Sequence, residues 1–241
     1  MSELESLTSP SSPSPDNEPS PPPGTESSSI AGYCVPLALF GVFTEIEGRV
    51  SLSVYPYVYV AKLCAVMLAL AVYRSTLRDL RPSRRVVAPA LLVGLAVFAE
   101  WVWLDKWLPY PHIGSRVGFN PFAGLQSGPG LAAFLVARFW GLVVIVPVME
   151  ELFWRSFLIR YLTTQDFTAI PIGQFSALAF WLVAGFSGLA HPEWLVAVVA
   201  SAAYSWLLRH TGSLFATVMA HAVTNAVLGL YVLASQDWQY W

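Results

Sequence analysis

Past residue 29 the chain reads as long apolar runs broken by short polar stretches, and the runs mark seven segments at roughly 30–44, 54–73, 86–104, 130–158, 173–190, 194–209 and 213–234. Runs of this length predict helices, because lipid offers no partner for an unpaired backbone amide and a helix satisfies its own. The pattern therefore predicts an all-α, multi-pass helical integral membrane protein with about seven transmembrane helices. The first segment is short for a span. The fourth exceeds the ~20 residues a bilayer needs, so it tilts or protrudes into the interface. Trp101, Trp103, Trp107, Trp181, Trp194, Trp206, Trp238 and Trp241 gather mostly at segment ends, as in an interfacial aromatic belt. No internal repeat or matched pair of broken helices of the transporter kind is present.

Composition sharpens this. Of 241 residues, 56% are hydrophobic and 12% charged, about half the charged share of a soluble domain. The net charge of −2 averages two unlike parts. Residues 1–29 hold Glu3, Glu5, Asp16, Glu18 and Glu26, many Ser and Pro, and no basic residue. Such a stretch buries too little apolar area to offset ordering, so it reads as a disordered tail, without the basic-then-apolar order of a signal peptide. The membrane domain is then 30–241. Nothing resembles a soluble fold with a basic face, so nucleic acid is not an expected partner. Cys34 and Cys64 lie in apolar segments at no metal-ligand spacing and read as small buried hydrophobes. The largest basic cluster is Arg74, Arg78, Arg81, Arg84 and Arg85, in YRSTLRDLRPSRR. Positive-inside logic puts that loop in the cytoplasm. Alternation then places the 160–172 and 209–212 turns inside, with the 105–128 loop and His191 toward the outer face.

The stretch PVMEELFWRSFL, residues 147–158, sets two carboxylates and an arginine in a run apolar enough for lipid. Each such charge costs roughly 2.5–3.5 kcal/mol on insertion scales, so each needs a partner or a wet cavity. On a helix Glu151 and Arg155 are four apart and share a face, while Glu150 points about 100° away. The spacing predicts a structural Glu151–Arg155 pair and a Glu150 free to act as a general base. His191 ends the fifth segment in GFSGLAHPEW. His221 lies inside the seventh in TVMAHAVTNAV, with Asn225 one turn on. An imidazole and a carboxamide on one face can donate hydrogen bonds to an oxyanion. Taken singly, each histidine also fits interhelical hydrogen bonding, and the Glu–Glu–Arg cluster fits a packing network or a coupling-ion site. His112 and His210 read as solvated or interfacial, Lys62 and Arg138 as snorkelling or paired, and Glu100 and Asp105 as interfacial polarity.

The order EELFWR (150–155), FSGLAH (186–191) and HAVTN (221–225) resembles the CPBP intramembrane proteases, the CAAX prenyl endopeptidases and their bacteriocin-processing and immunity relatives. The likeness covers about 130–234. One position departs: the family usually has Phe four residues before the first His, where this chain has Ser187 and its Phe is Phe186. The resemblance implies an intramembrane endopeptidase acting on a membrane-tethered or lipid-modified peptide or protein. In it Glu150 and His191 activate water, His221 and Asn225 stabilise the oxyanion, and Glu151 and Arg155 support the site. It implies no cofactor; a zinc version would use Glu150, His191 and His221 as ligands. It implies an integral membrane location, the inner membrane in a prokaryote. Two other readings stay open: a proteolytically silent immunity or scaffold protein of the same family, and a small transporter with Glu150 and His221 as a proton relay.

Overall fold

The structure, a computed structural model, describes residues 30–114 and 118–241. The acidic Ser/Pro tail at 1–29 lies outside the described residues. Each apolar segment is a helix: α1 (Ile30–Glu47), α2 (Tyr55–Val72), α3 (Val87–Trp107), α4 (Pro129–Tyr161), α5 (Ala177–Leu189), α6 (Trp194–Thr211) and α7 (Leu214–Ser235). Among the described residues there is no strand. Of the seven, α1, α2, α4, α7 and the α3 unit from Arg84 are both long and apolar enough to cross a bilayer. Helix α5 has only 13 residues, about 20 Å of rise, and α6 carries more polar residues.

Local chemistry sets the ends. Pro56 and Pro129 open α2 and α4, where the missing N–H costs nothing. The Ser176 side chain caps α5 by accepting from Ala179 N. Gly212, left-handed at φ 60°, ends α6 and turns the chain directly into α7.

Helices α1 and α2 form one hairpin, α5 and α6 another, and α3 lies along α7. Gly94 makes that last pairing close: a Cβ there would stand 2.5 Å from Ala220 O and 2.8 Å from Val223 Cβ. Small residues at such a contact let two backbones approach, the usual device inside a bilayer. Helix α4 runs through the middle, touching α1, α2, α5 and α7. Its Phe134, Ile145, Met149, Leu152 and Phe157 join Tyr33, Tyr59, Leu63 and Val66 in the main core.

At the other end of α3 from the Arg-rich loop, residues 105–112 meet the chain's last residues. Asp105 accepts from Tyr110 and Tyr240 at 2.5 Å each and meets His112 Nε2 at 2.9 Å, so His112 is tethered rather than simply solvated. Burial, followed by that carboxylate, pushes both phenols well above their ordinary pKa.

Several expectations change. Cys64 is exposed on α2, while Cys34 is half-buried against the main core. Trp241 is buried, stacked near Arg138, and not part of an interfacial belt. Lys62 does pair, with Glu47 at 2.6 Å.

Candidate active site

The site is built on an irregular part of α4. At Gly141–Ile145 the helix widens to the π form, with Val146 N–H bonding Gly141 O five residues back. The next donor in that spacing would be residue 147, which is proline and has no N–H. The Leu142 carbonyl is therefore orphaned, and Asn225 Nδ2 of α7 meets it at 2.9 Å. A second π segment, Leu152–Leu158, starts immediately after Glu151 and carries Arg155. Such widened turns recur at functional sites because they re-aim side chains that a regular helix would stack.

Glu151 is wholly buried and Arg155 is 2% exposed. Ions taken out of water cost several kcal/mol each unless geometry and further hydrogen bonds compensate. Three hydrogen bonds beyond the ion pair compensate in part, while Glu151 Oε2 and Arg155 Nε are buried with no hydrogen-bond partner among the described residues. Glu151 Oε1 accepts from Arg155 Nη1 at 3.2 Å and from His221 Nδ1 at 3.0 Å. Arg155 Nη2 donates to Ser201 O at 3.0 Å and to Ser201 Oγ at 2.8 Å. The guanidinium thereby bolts α4 to α6, and the carboxylate bolts α4 to α7.

His221 is held on its flat face as well. The Tyr204 ring of α6 stacks on it, centroids 5.3 Å apart and planes 19° apart. The Tyr204 hydroxyl donates to Thr224 Oγ1 at 2.8 Å, and that hydroxyl reaches Gly94 O at 2.8 Å. With Nδ1 giving its proton to Glu151, the other ring nitrogen, Nε2, points away from the carboxylate. A carboxylate behind an imidazole fixes ring and tautomer in this way at many catalytic sites.

Glu150 is half-buried and, among the described residues, makes no ion pair. It lies within electrostatic reach of Tyr204, so it stands beside the same cluster. His191 comes in from the α5–α6 turn. Its Nδ1 lies 2.9 Å from Ser187 O, and its ring sits edge-on to Trp101 of α3 at 5.6 Å. Ser187, the position where the family usually has Phe, is buried and holds the imidazole through its backbone, while Phe186 is exposed. Asn225 spends one of its two N–H donors on Leu142 O and keeps the other.

The six expected residues thus divide. The structure joins Glu151, Arg155 and His221 through direct hydrogen bonds. It sets Asn225 one turn along α7 on an α4 carbonyl, leaves Glu150 on α4 beside Glu151, and holds His191 in the α5–α6 turn against Ser187 O and Trp101. Among the described residues, no group of three His, Cys, Asp or Glu side chains is placed to hold a metal ion.

Sequence reasoning missed Ser201, Tyr204 and Thr224. A signal existed for the first two: they are polar, three apart on α6, and so share a face within an apolar run. Thr224 sits between His221 and Asn225 and carried no such mark.

The model of the family described as Type II CAAX prenyl endopeptidase Rce1-like matches residues 132–227. No curated protein and no solved structure matches the chain. The matched stretch contains all six residues above, with all of α5 and α6 and the larger parts of α4 and α7. Over those 96 residues, under half of its 241, this integral membrane protein is similar to the CAAX-type prenyl endopeptidases.

Proposed function

We propose that the protein is an intramembrane endopeptidase that hydrolyses a peptide bond in a membrane-tethered or lipid-modified peptide, with Glu150 and His191 activating the water. The observation that carries this reading is the division between the two adjacent carboxylates. Glu151 is sealed between Arg155 and His221, whereas Glu150, its neighbour, has no ion-pair partner among the described residues. A sealed carboxylate orients; an open one can take a proton.

In this reading Glu150 accepts a proton from water while His191 orients that water. The oxygen attacks the scissile carbonyl carbon, and the C=O electron pair moves onto oxygen. His221 Nε2 and the spare Asn225 N–H then donate to the oxyanion. Donation from Nε2 while Nδ1 is committed to Glu151 requires the imidazolium form of the ring, with Glu151 as its counter-charge. When the intermediate collapses, Glu150 returns its proton to the departing amine. Ser201 and Tyr204 act as positioning residues, the first through Arg155 and the second by stacking on His221.

The test is cleavage of a membrane-tethered reporter peptide library by purified protein in detergent, with and without a chelator. Glu150→Gln and His221→Ala are expected to lower turnover by roughly 10²–10⁴-fold, the usual worth of a positioned proton-transfer group or oxyanion donor. The chelator is expected to have no effect. Chelator-sensitive cleavage would overturn the water-activation scheme. Undiminished cleavage by Glu150→Gln would remove Glu150 from it.

A further inference from the structure

We propose that the loop between α2 and α3, residues 74–85, is a binding surface for the phosphate headgroups of anionic membrane lipids. Arg74, Arg78, Arg81, Arg84 and Arg85 are all exposed. None of them appears in any ion pair among the described residues. The one carboxylate in the loop, Asp79, is turned inward. Its Oδ2 accepts from Tyr33 Oη at 2.9 Å, from Arg160 Nη2 at 3.3 Å and from the Ser156 hydroxyl. The loop therefore uses its only internal anion on the protein body and presents five guanidinium groups with no counter-charge among the described residues.

Geometry favours lipid as the source of that counter-charge. The loop is folded, as two 3₁₀ turns at Arg74–Asp79 and Arg84–Val86, and Thr76 is buried against the backbone near Gly32. It joins the ends of two membrane-crossing helices directly, so its guanidiniums stand at headgroup height. The adjoining helix surfaces are exposed and apolar: Leu68 and Val72 on α2, Leu91 and Leu92 on α3. One lipid can lay its acyl chains on these side chains and its phosphate on the arginines. A guanidinium fork matches phosphate oxygens in pairs, and juxtamembrane basic clusters draw anionic headgroups. Asp79 ties the loop to α4 at Ser156 and Arg160, next to Arg155. Headgroup binding thus braces the fold and registers as thermal stabilisation.

The experiment follows unfolding of purified full-length protein in neutral detergent by tryptophan fluorescence, with added phosphatidylglycerol, phosphatidylcholine or inorganic phosphate. Phosphatidylglycerol is expected to raise Tm, phosphatidylcholine and inorganic phosphate are not, and 1 M NaCl, where the screening length is about 3 Å, is expected to abolish the rise. Replacing arginines by Gln is expected to raise the half-saturating phosphatidylglycerol concentration roughly fivefold per residue. The variants R74Q/R78Q and R81Q/R84Q/R85Q keep the measurement readable if all five together prevent folding. An equal shift with phosphatidylcholine, an unchanged response in the Gln variants, or persistence at 1 M NaCl would each overturn the proposal. An equal shift with inorganic phosphate would assign a free-phosphate site instead. The readout is unfolding rather than cleavage, so it stands or falls separately from the peptidase reading.

Discussion

Glu150 and Glu151 are the same amino acid one position apart, and the fold gives them opposite tasks. Glu151 neutralises Arg155 and anchors His221 from a site closed to water. Glu151→Gln keeps the shape but leaves the Arg155 guanidinium without its carboxylate. Removing one partner of a buried pair costs about 3–5 kcal/mol. That loss is expected in the unfolding free energy of Glu151→Gln, measured in detergent, alongside lost cleavage. Glu150→Gln is expected to unfold like wild type, since no ion pair is broken. Equal stability of the two variants would show that Glu151 is not the structural partner. Helical spacing already made the Glu151–Arg155 pair legible, because residues four apart must share a face. The contact with His221 was not legible: the two positions are 70 residues apart, and no local rule relates them.

Among elements, α4 departs furthest from what its sequence suggests. A long apolar run predicts a regular tilted helix, but two π segments interrupt it on either side of the Glu pair. Pro147 supplies the cause in the first: it withholds the donor that Leu142 O would otherwise have, and Asn225 takes its place. Asn225→Leu should leave that carbonyl unpaired and cost about 1–3 kcal/mol. Pro147→Ala restores an N–H, so the double variant should lose less than the sum of the singles. A double-mutant cycle by chemical unfolding measures this, with coupling of about 0.5–3 kcal/mol expected for residues sharing one acceptor. Strict additivity would mean that the two side chains do not serve the same carbonyl. The proline was visible in the sequence, but which helix would answer it was not.

At the scale of the whole molecule, the site depends on how closely α3, α6 and α7 approach. Gly94 sets the α3–α7 distance one residue from His221, through Ala220 O and Val223, and its carbonyl receives the Thr224 end of the Tyr204 chain. Gly94→Ala forces the helices apart and is expected to cost about 1–3 kcal/mol as overpacking, with cleavage falling further because His221 shifts with α7. Gly41→Ala, on α1 with open space around it, should change neither unfolding nor cleavage. If both glycine variants behave alike, the close α3–α7 contact is not what holds the site. The sequence by itself determined the class of molecule and its helices, because apolar length and the demand for paired backbone amides in lipid leave no other structure. It also determined which side chains were too polar to be passive, since every charge in an apolar run needs a reason. Tertiary structure alone decided the partners: His221 on Glu151, Ser201 on Arg155, Tyr204 across His221, Asn225 on Leu142 O, Asp79 on Arg160. Those contacts depend on how separate helices rotate and approach. In a bilayer, small residues and interhelical hydrogen bonds set that rotation rather than any periodicity within a single helix.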